Sequence, residues 1–114
     1  MGAARYPLTI EQGATFTLDL TVSDADGAAI NLTGYSAAMQ GREQLDDVVT
    51  VFDLASGSEI TLGSDGSIAV VIDDTATAAI TATSGVYDLI ITSGGGVVTR
   101  VLQGTFTVSP QVTR

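Results

Sequence analysis

Apolar and polar residues alternate with a period of two through most of this chain, the pattern of strands that bury one face. In ATFTLDLTV, Phe16, Leu18, Leu20 and Val22 fall on one side and Thr15, Thr17, Asp19 and Thr21 on the other, as the pleat of a strand requires. SIAVVI sets Ile68, Val70 and Ile72 on a shared face, and TFTVS directs Phe106 and Val108 inward. Read along the whole chain, the alternation predicts strands near 7–10, 14–22, 30–32, 35–42, 48–53, 59–62, 67–72, 85–92 and 97–109.

Residues that tolerate a positive φ separate these runs: Asp26-Gly27, Ser56-Gly57, Asp65-Gly66 and Gly94-Gly95-Gly96. Such pairs close tight turns between neighbouring strands, so hairpins are expected there, the last over Ser93 to Gly96. Gly104, inside the final strand, marks a bulge or a close approach of another backbone. Only DDTATAAITAT breaks the alternation, because an Ala-rich stretch opened by Asp73, Asp74 and Thr75 reads as a capped short helix near 73–82. The fold class is therefore all-β: an immunoglobulin-like antiparallel β-sandwich with one short helix in a crossover between the sheets.

Within such a sandwich, SGVYDLII acquires a meaning. A Tyr near the start of the penultimate strand can turn its hydroxyl onto the backbone of the corner while its ring packs inward. Gly85 and Tyr87 fit that corner, Leu89 and Ile91 continue the inward face, and Leu89 stands where an antibody domain carries Cys. The plainer reading makes Tyr87 a half-buried strand aromatic; in either case its role is structural.

Length and composition narrow the picture. One domain over 1–114 is expected, with short flexible tails at about 1–6 and 111–114. No apolar run approaches the roughly 18 residues of a membrane span, and MGAARYPLTI lacks a signal peptide's apolar centre, so a soluble chain without membrane insertion is expected. Cys and His are absent and Lys does not occur. That removes disulfides, thiolate or imidazole metal sites, and the common nucleophile-base pairs. With four Arg and a net charge of -9, a phosphate-binding surface is not expected, and nucleic acid is rejected as a partner.

Carboxylates remain as candidate chemistry. General acid-base work needs a buried, pKa-shifted acid beside a second group in a cleft, whereas the Asp residues here fall in turns or on polar strand faces, so no enzymatic activity and no cofactor are expected. Asp24, Asp26 and Gly27 resemble a fragment of a calcium loop, but the sixth loop position is Ala29 and the twelfth Tyr35, where an EF-hand places Gly and Glu. Asn31-Leu32-Thr33 reads as a turn. Arg42 and Arg100 sit within predicted strands, as partner contacts or as weak surface pairs. Tyr6, Tyr35 and Phe52 are the aromatics whose register leaves them exposed.

Three stretches in order, YPLTIEQGATFTLDLTV, AINLTGYSAAMQ and SGVYDLIITSGGGVVTRVLQGTFTVSPQVTR, resemble a family of small immunoglobulin-like proteins and N-terminal modules of tailed bacteriophages. Similar modules occur in baseplate, tail-fibre and receptor-binding components. The resemblance covers most of the chain, is strongest at INLTGY and the closing segment, and weakens from Gly41 to Ser58. It implies a non-enzymatic virion structural protein, made in the bacterial host cytoplasm, that links fibres or adhesins to a tail or baseplate. Capsid decoration and carbohydrate binding or adhesion are the alternatives. Partners would be other virion proteins and copies of itself, met through Arg42, Arg100, Tyr6 and Phe52 or the chain ends, whereas the carbohydrate or adhesion alternative would use the loops 24–29 and 42–58.

Overall fold

The computed structural model describes residues 4–24, 26–47 and 50–111. Two sheets pack face to face. The larger joins β1 (Ala4–Arg5), β2 (Leu8–Glu11), β4 (Ser36–Arg42), β5 (Phe52–Ala55), β8 (Ser84–Thr92) and β9 (Val98–Ser109), in the order β1-β9-β8-β4-β5 with β2 also on β9. The smaller runs β3 (Phe16–Thr21), β7 (Ser67–Ile72), β6 (Ile60–Leu62). A single-turn helix, α1 (Asp74–Ala78), carries the chain from β7 in one sheet to β8 in the other.

The alternation becomes the core. Ile68, Val70 and Ile72 of the small sheet face Met39, Leu54, Leu89, Ile91 and Phe106 of the large one, all buried. Burying side chains of this size stabilises by roughly 1.5–3 kcal/mol each. That apolar interior holds a chain without disulfides. Asp73 caps α1, its carboxylate accepting from the Ala76 N–H at 2.8 Å. The closing hairpin turns at Gly96, whose φ of 92° suits glycine.

The structure differs from the sequence-based expectation in four places. The segment 30–32 is not a strand: Ala29 makes an isolated bridge to Ser23, and the Asn31 side chain accepts from the Thr33 N–H, turning the chain towards Gly34. Leu32 is buried there as a plug. The strand expected at 48–53 is centred later, at Phe52–Ala55, and Val48 and Val49 lie outside the described residues. The helix is shorter than 73–82, ending at Ala78 with Ala79 as its cap while Ile80 and Ala82 enter the core.

The fourth difference concerns the chain ends. The large sheet is not wholly antiparallel, because β1 and β2 both run parallel to β9. Ala4 lies opposite Leu102 and Leu8 opposite Phe106, one continuous register broken only at Tyr6-Pro7. Residues 4–6 are therefore paired rather than loose, and the Tyr6 N–H still donates to Gln103 at 2.9 Å. Gln111 is held too, since its N–H donates to the Gln12 side chain at 2.9 Å. Residues 1–3 and 112–114, the remainder of the expected tails, lie outside the described residues.

Candidate interaction surface

Strand pairing decides where the site residues sit. Directly opposite Gly41 on β4 is Phe52 on β5, and directly opposite Gly85 on β8 is Phe106 on β9. Each ring lies over its glycine: a Cβ on Gly41 would stand 2.4 Å from Phe52 Cε2, and one on Gly85 2.7 Å from Phe106 and 2.2 Å from the Arg42 carbonyl oxygen. The two rings meet edge to face at 5.2 Å, a geometry favoured by the aromatic quadrupole. Phe52, expected as an exposed partner contact, is 7 % exposed. Its burial follows from Gly41, which opens the space the ring fills.

Gly85 thus serves the Phe106 ring, not the tyrosine beside it. Tyr87 is buried and donates its hydroxyl hydrogen to the main-chain carbonyl of Tyr6. The acceptor lies at the break between β1 and β2, not at the corner that the sequence pattern pointed to. Opposite Tyr87 stands Gly104, where a Cβ would come within 2.6 Å of the same Tyr6 carbonyl oxygen. Gly104 therefore marks a close approach, whereas the bulge in the β8–β9 ladder lies at Leu89 and Ile90. Burial first, and then neighbouring Tyr6, pushes the Tyr87 phenol up to about 12, so it remains a proton donor at neutral pH.

The other side of the large sheet faces outward. Its register lines up Arg5, Gln103, Asp88, Gln40 and Asp53 across five strands. Arg42 and Arg100 flank that row, so every arginine among the described residues lies on this face. Arg42 is largely committed internally: its guanidinium donates to the Asp47 carbonyl and the Gln40 side chain, both at 2.9 Å. This clamps the loop 43–47, so Arg42 is a loop anchor rather than a free contact.

Arg100 is held more loosely, donating to the Gln103 side chain at 3.2 Å. Its side chain is 56 % exposed and stands 3.4 Å from Asp88, itself 42 % exposed; a pair this solvated is worth under about 1 kcal/mol. Tyr6 is 50 % exposed. Sequence reasoning missed Leu45, which is 86 % exposed at the tip of the clamped loop and overhangs a shallow depression of about 300 Å³ shared with Arg5, Val86 and Arg100. Val97 and Val98, at 65 % and 59 %, extend the apolar surface at the closing hairpin.

Loop 24–29 has its own explanation. The Asp24 carboxylate accepts from the N–H groups of Asp26 and Ala28 at 2.9 and 3.0 Å, a turn made by the side chain itself. No cluster of three or more acidic side chains among the described residues is arranged to hold a metal ion. At the opposite end, buried Thr77 joins α1 to the turn after β2, donating to the Ala14 carbonyl at 2.8 Å and accepting from the Gly13 N–H at 3.1 Å. Nothing in the sequence separates Thr77 from its neighbour Thr75.

No family model and no curated protein matches this sequence. Solved structures do match in shape. One comes from work on multimeric cell-adhesive interactions of voltage-gated sodium channel β subunits: TM-score 0.51 and 13 % identity, covering 94 % of this chain and 93 % of that one. A second is the extracellular domain of the sodium channel β4 subunit, solved as parallel homodimers, at TM-score 0.52 and 14 % identity over 95 % and 93 %. A third is the N-terminal domain of phage TP901-1 ORF48, at TM-score 0.54 and 9 % identity over 96 % and 100 %. The fold is immunoglobulin-like. At these identities the likeness concerns the fold alone.

Proposed function

We propose that this chain is a non-enzymatic structural protein of a tailed-phage virion, an adaptor at the tail or baseplate that joins fibres or adhesins to the particle. The observation that carries the reading is the outer face of the large sheet, which gathers Arg5 and Arg100 beside exposed Leu45 and Val98 on a chain of net charge -9. Arginine is enriched and lysine depleted at protein-protein contacts, and the exposed aliphatic side chains add apolar area beside it. The partner it suits presents carboxylates around an apolar centre. Other virion proteins fill that role, and so do further copies of this acidic chain.

Likeness in fold to a phage N-terminal domain over its whole length supports a phage setting. The sequence resemblance to phage modules points the same way. The test is to label the protein in intact particles and co-purify it with its neighbours. Label at the tail, with Arg100→Glu reducing recovery in particles, is the expected outcome. Label on the head would favour the decoration role, and absence from particles would end the proposal.

A further inference from the structure

A sheet edge exposes unpaired N–H and C=O groups, and proteins usually blunt it. Three edges of this sandwich are blunted. The β1–β2 edge is interrupted at Tyr6-Pro7, β6 has three residues, and β5 has four. The fourth, β3, has six residues with no proline and no inward charge. Its inward side chains, Phe16, Leu18 and Leu20, are only half-buried, although their partners Ile72, Val70 and Ile68 are buried. Among the described residues no strand pairs with the outer side of β3.

The direction of its free groups follows from the ladder. The Val22 N–H donates to Gly66, extending the register of β3 with β7. Because the direction alternates along an antiparallel pair, Phe16, Leu18 and Leu20 bond to β7, and Thr17, Asp19 and Thr21 direct their N–H and C=O groups to the open edge.

We propose that this edge pairs with the same edge of a second copy, antiparallel about a twofold axis at Leu18. In that register Thr17 and Asp19 of one copy exchange backbone bonds with Asp19 and Thr17 of the other. Phe16 then meets Leu20 of the second copy, and the two Leu18 side chains meet each other, covering the half-buried apolar row. Shifting so that Asp19 faces Asp19 would oppose like charges, which is destabilising. The pairing joins two small sheets into one of six strands, and its twofold symmetry closes it as a dimer. An edge of about 20 Å makes an interface below the roughly 1,200 Å² of stable complexes, so association is weak in dilute solution and favoured where copies are held close together. This deepens the self-association within the proposed function, and is tested without any particle.

The test uses the purified chain from micromolar to millimolar concentration, with sedimentation equilibrium for mass and amide exchange for location. Mass rises towards a dimer, and exchange at Thr17, Asp19 and Thr21 slows with concentration. Asp19→Pro removes an N–H that the fold itself does not use and should weaken association at least about tenfold, the loss of one or two backbone bonds. Thr17→Arg, placed opposite Asp19 of the second copy, should tighten it a few-fold, as cross-strand ion pairs do. A chain that stays monomeric at millimolar concentration, or that dimerises without protecting these amides, overturns the inference, and the wild-type exchange decides even if Asp19→Pro does not fold. Neither result bears on whether the chain belongs to a particle.

Discussion

Replacing Gly85 by alanine adds one methyl group at the most crowded point in the sandwich. The new Cβ would lie 2.2 Å from the Arg42 carbonyl oxygen and 2.7 Å from Phe106 Cε1 and Cζ, against ordinary contacts of about 3.5–4 Å. Both neighbours must move by an ångström or so. Overpacking of this kind costs about 1–3 kcal/mol. Because β4 must shift beside Gly85, a ladder bond between β4 and β8 is weakened as well, adding about 1 kcal/mol. The sum, about 3 kcal/mol, is a large share of the roughly 5–15 kcal/mol that holds a domain of this size.

Gly41→Ala supplies the comparison, since the three atoms nearest its new Cβ all belong to the Phe52 ring. Trimming that ring in Gly41→Ala/Phe52→Leu should recover part of the loss, whereas Gly85→Ala/Phe106→Leu should not, because the Arg42 carbonyl stays in place. Urea denaturation followed by circular dichroism measures these four variants together with Phe52→Leu and Phe106→Leu alone, which gives two double-mutant cycles with the wild type. A Gly85→Ala variant within about 1 kcal/mol of wild type, the ordinary scale of a tolerated substitution, would refute the account of this glycine.

Other residues give shorter tests. Tyr87→Phe removes the bond to Tyr6 and should cost about 1 kcal/mol at neutral pH. Because the folded phenol titrates at about 12 and its ordinary value is 10.0, the unfolded chain ionises first: the contribution is full below pH 10 and is lost towards pH 12. Wild-type stability should fall relative to Tyr87→Phe across that window, and parallel urea midpoints would contradict the assignment. Thr77→Val strands the Gly13 N–H and the Ala14 carbonyl, so a loss of about 2–3 kcal/mol is expected by thermal or urea melting. Arg100→Glu should leave the melting temperature nearly unchanged and impair partner binding. Arg42→Glu, which unclamps the loop 43–47, should lower stability by about 1–2 kcal/mol, and equal behaviour of the two variants would undo the distinction.

Much of the fold was legible because it is written locally. ATFTLDLTV and SIAVVI carry their inward faces in the alternation itself, Asp73 announces the helix that it caps, and the turn glycines separate the strands. Pairings between the chain ends carry no such mark. The parallel register of β1 and β2 on β9 joins residues 98 apart, and Tyr87 finds its acceptor 81 residues away. Phe52 looked exposed because the stretch before it shows no alternation; only its pairing with Gly41 makes it core. Leu45 gives no signal in sequence, since its exposure depends on Arg42 clamping the loop beneath it. Arg42 and Arg100 fall within predicted strands, but that they share a face with Arg5 required the order of the strands and the pairing of β1 with β9.

The central claim, that this sandwich acts through its outer contours as a part of a virion, is tested most directly by imaging the intact particle by electron cryomicroscopy. The account predicts density for the sandwich at the tail or baseplate, with Arg100 and Leu45 against a neighbouring virion protein. Particles that lack the chain, or that hold it with this face open to solvent, would contradict it.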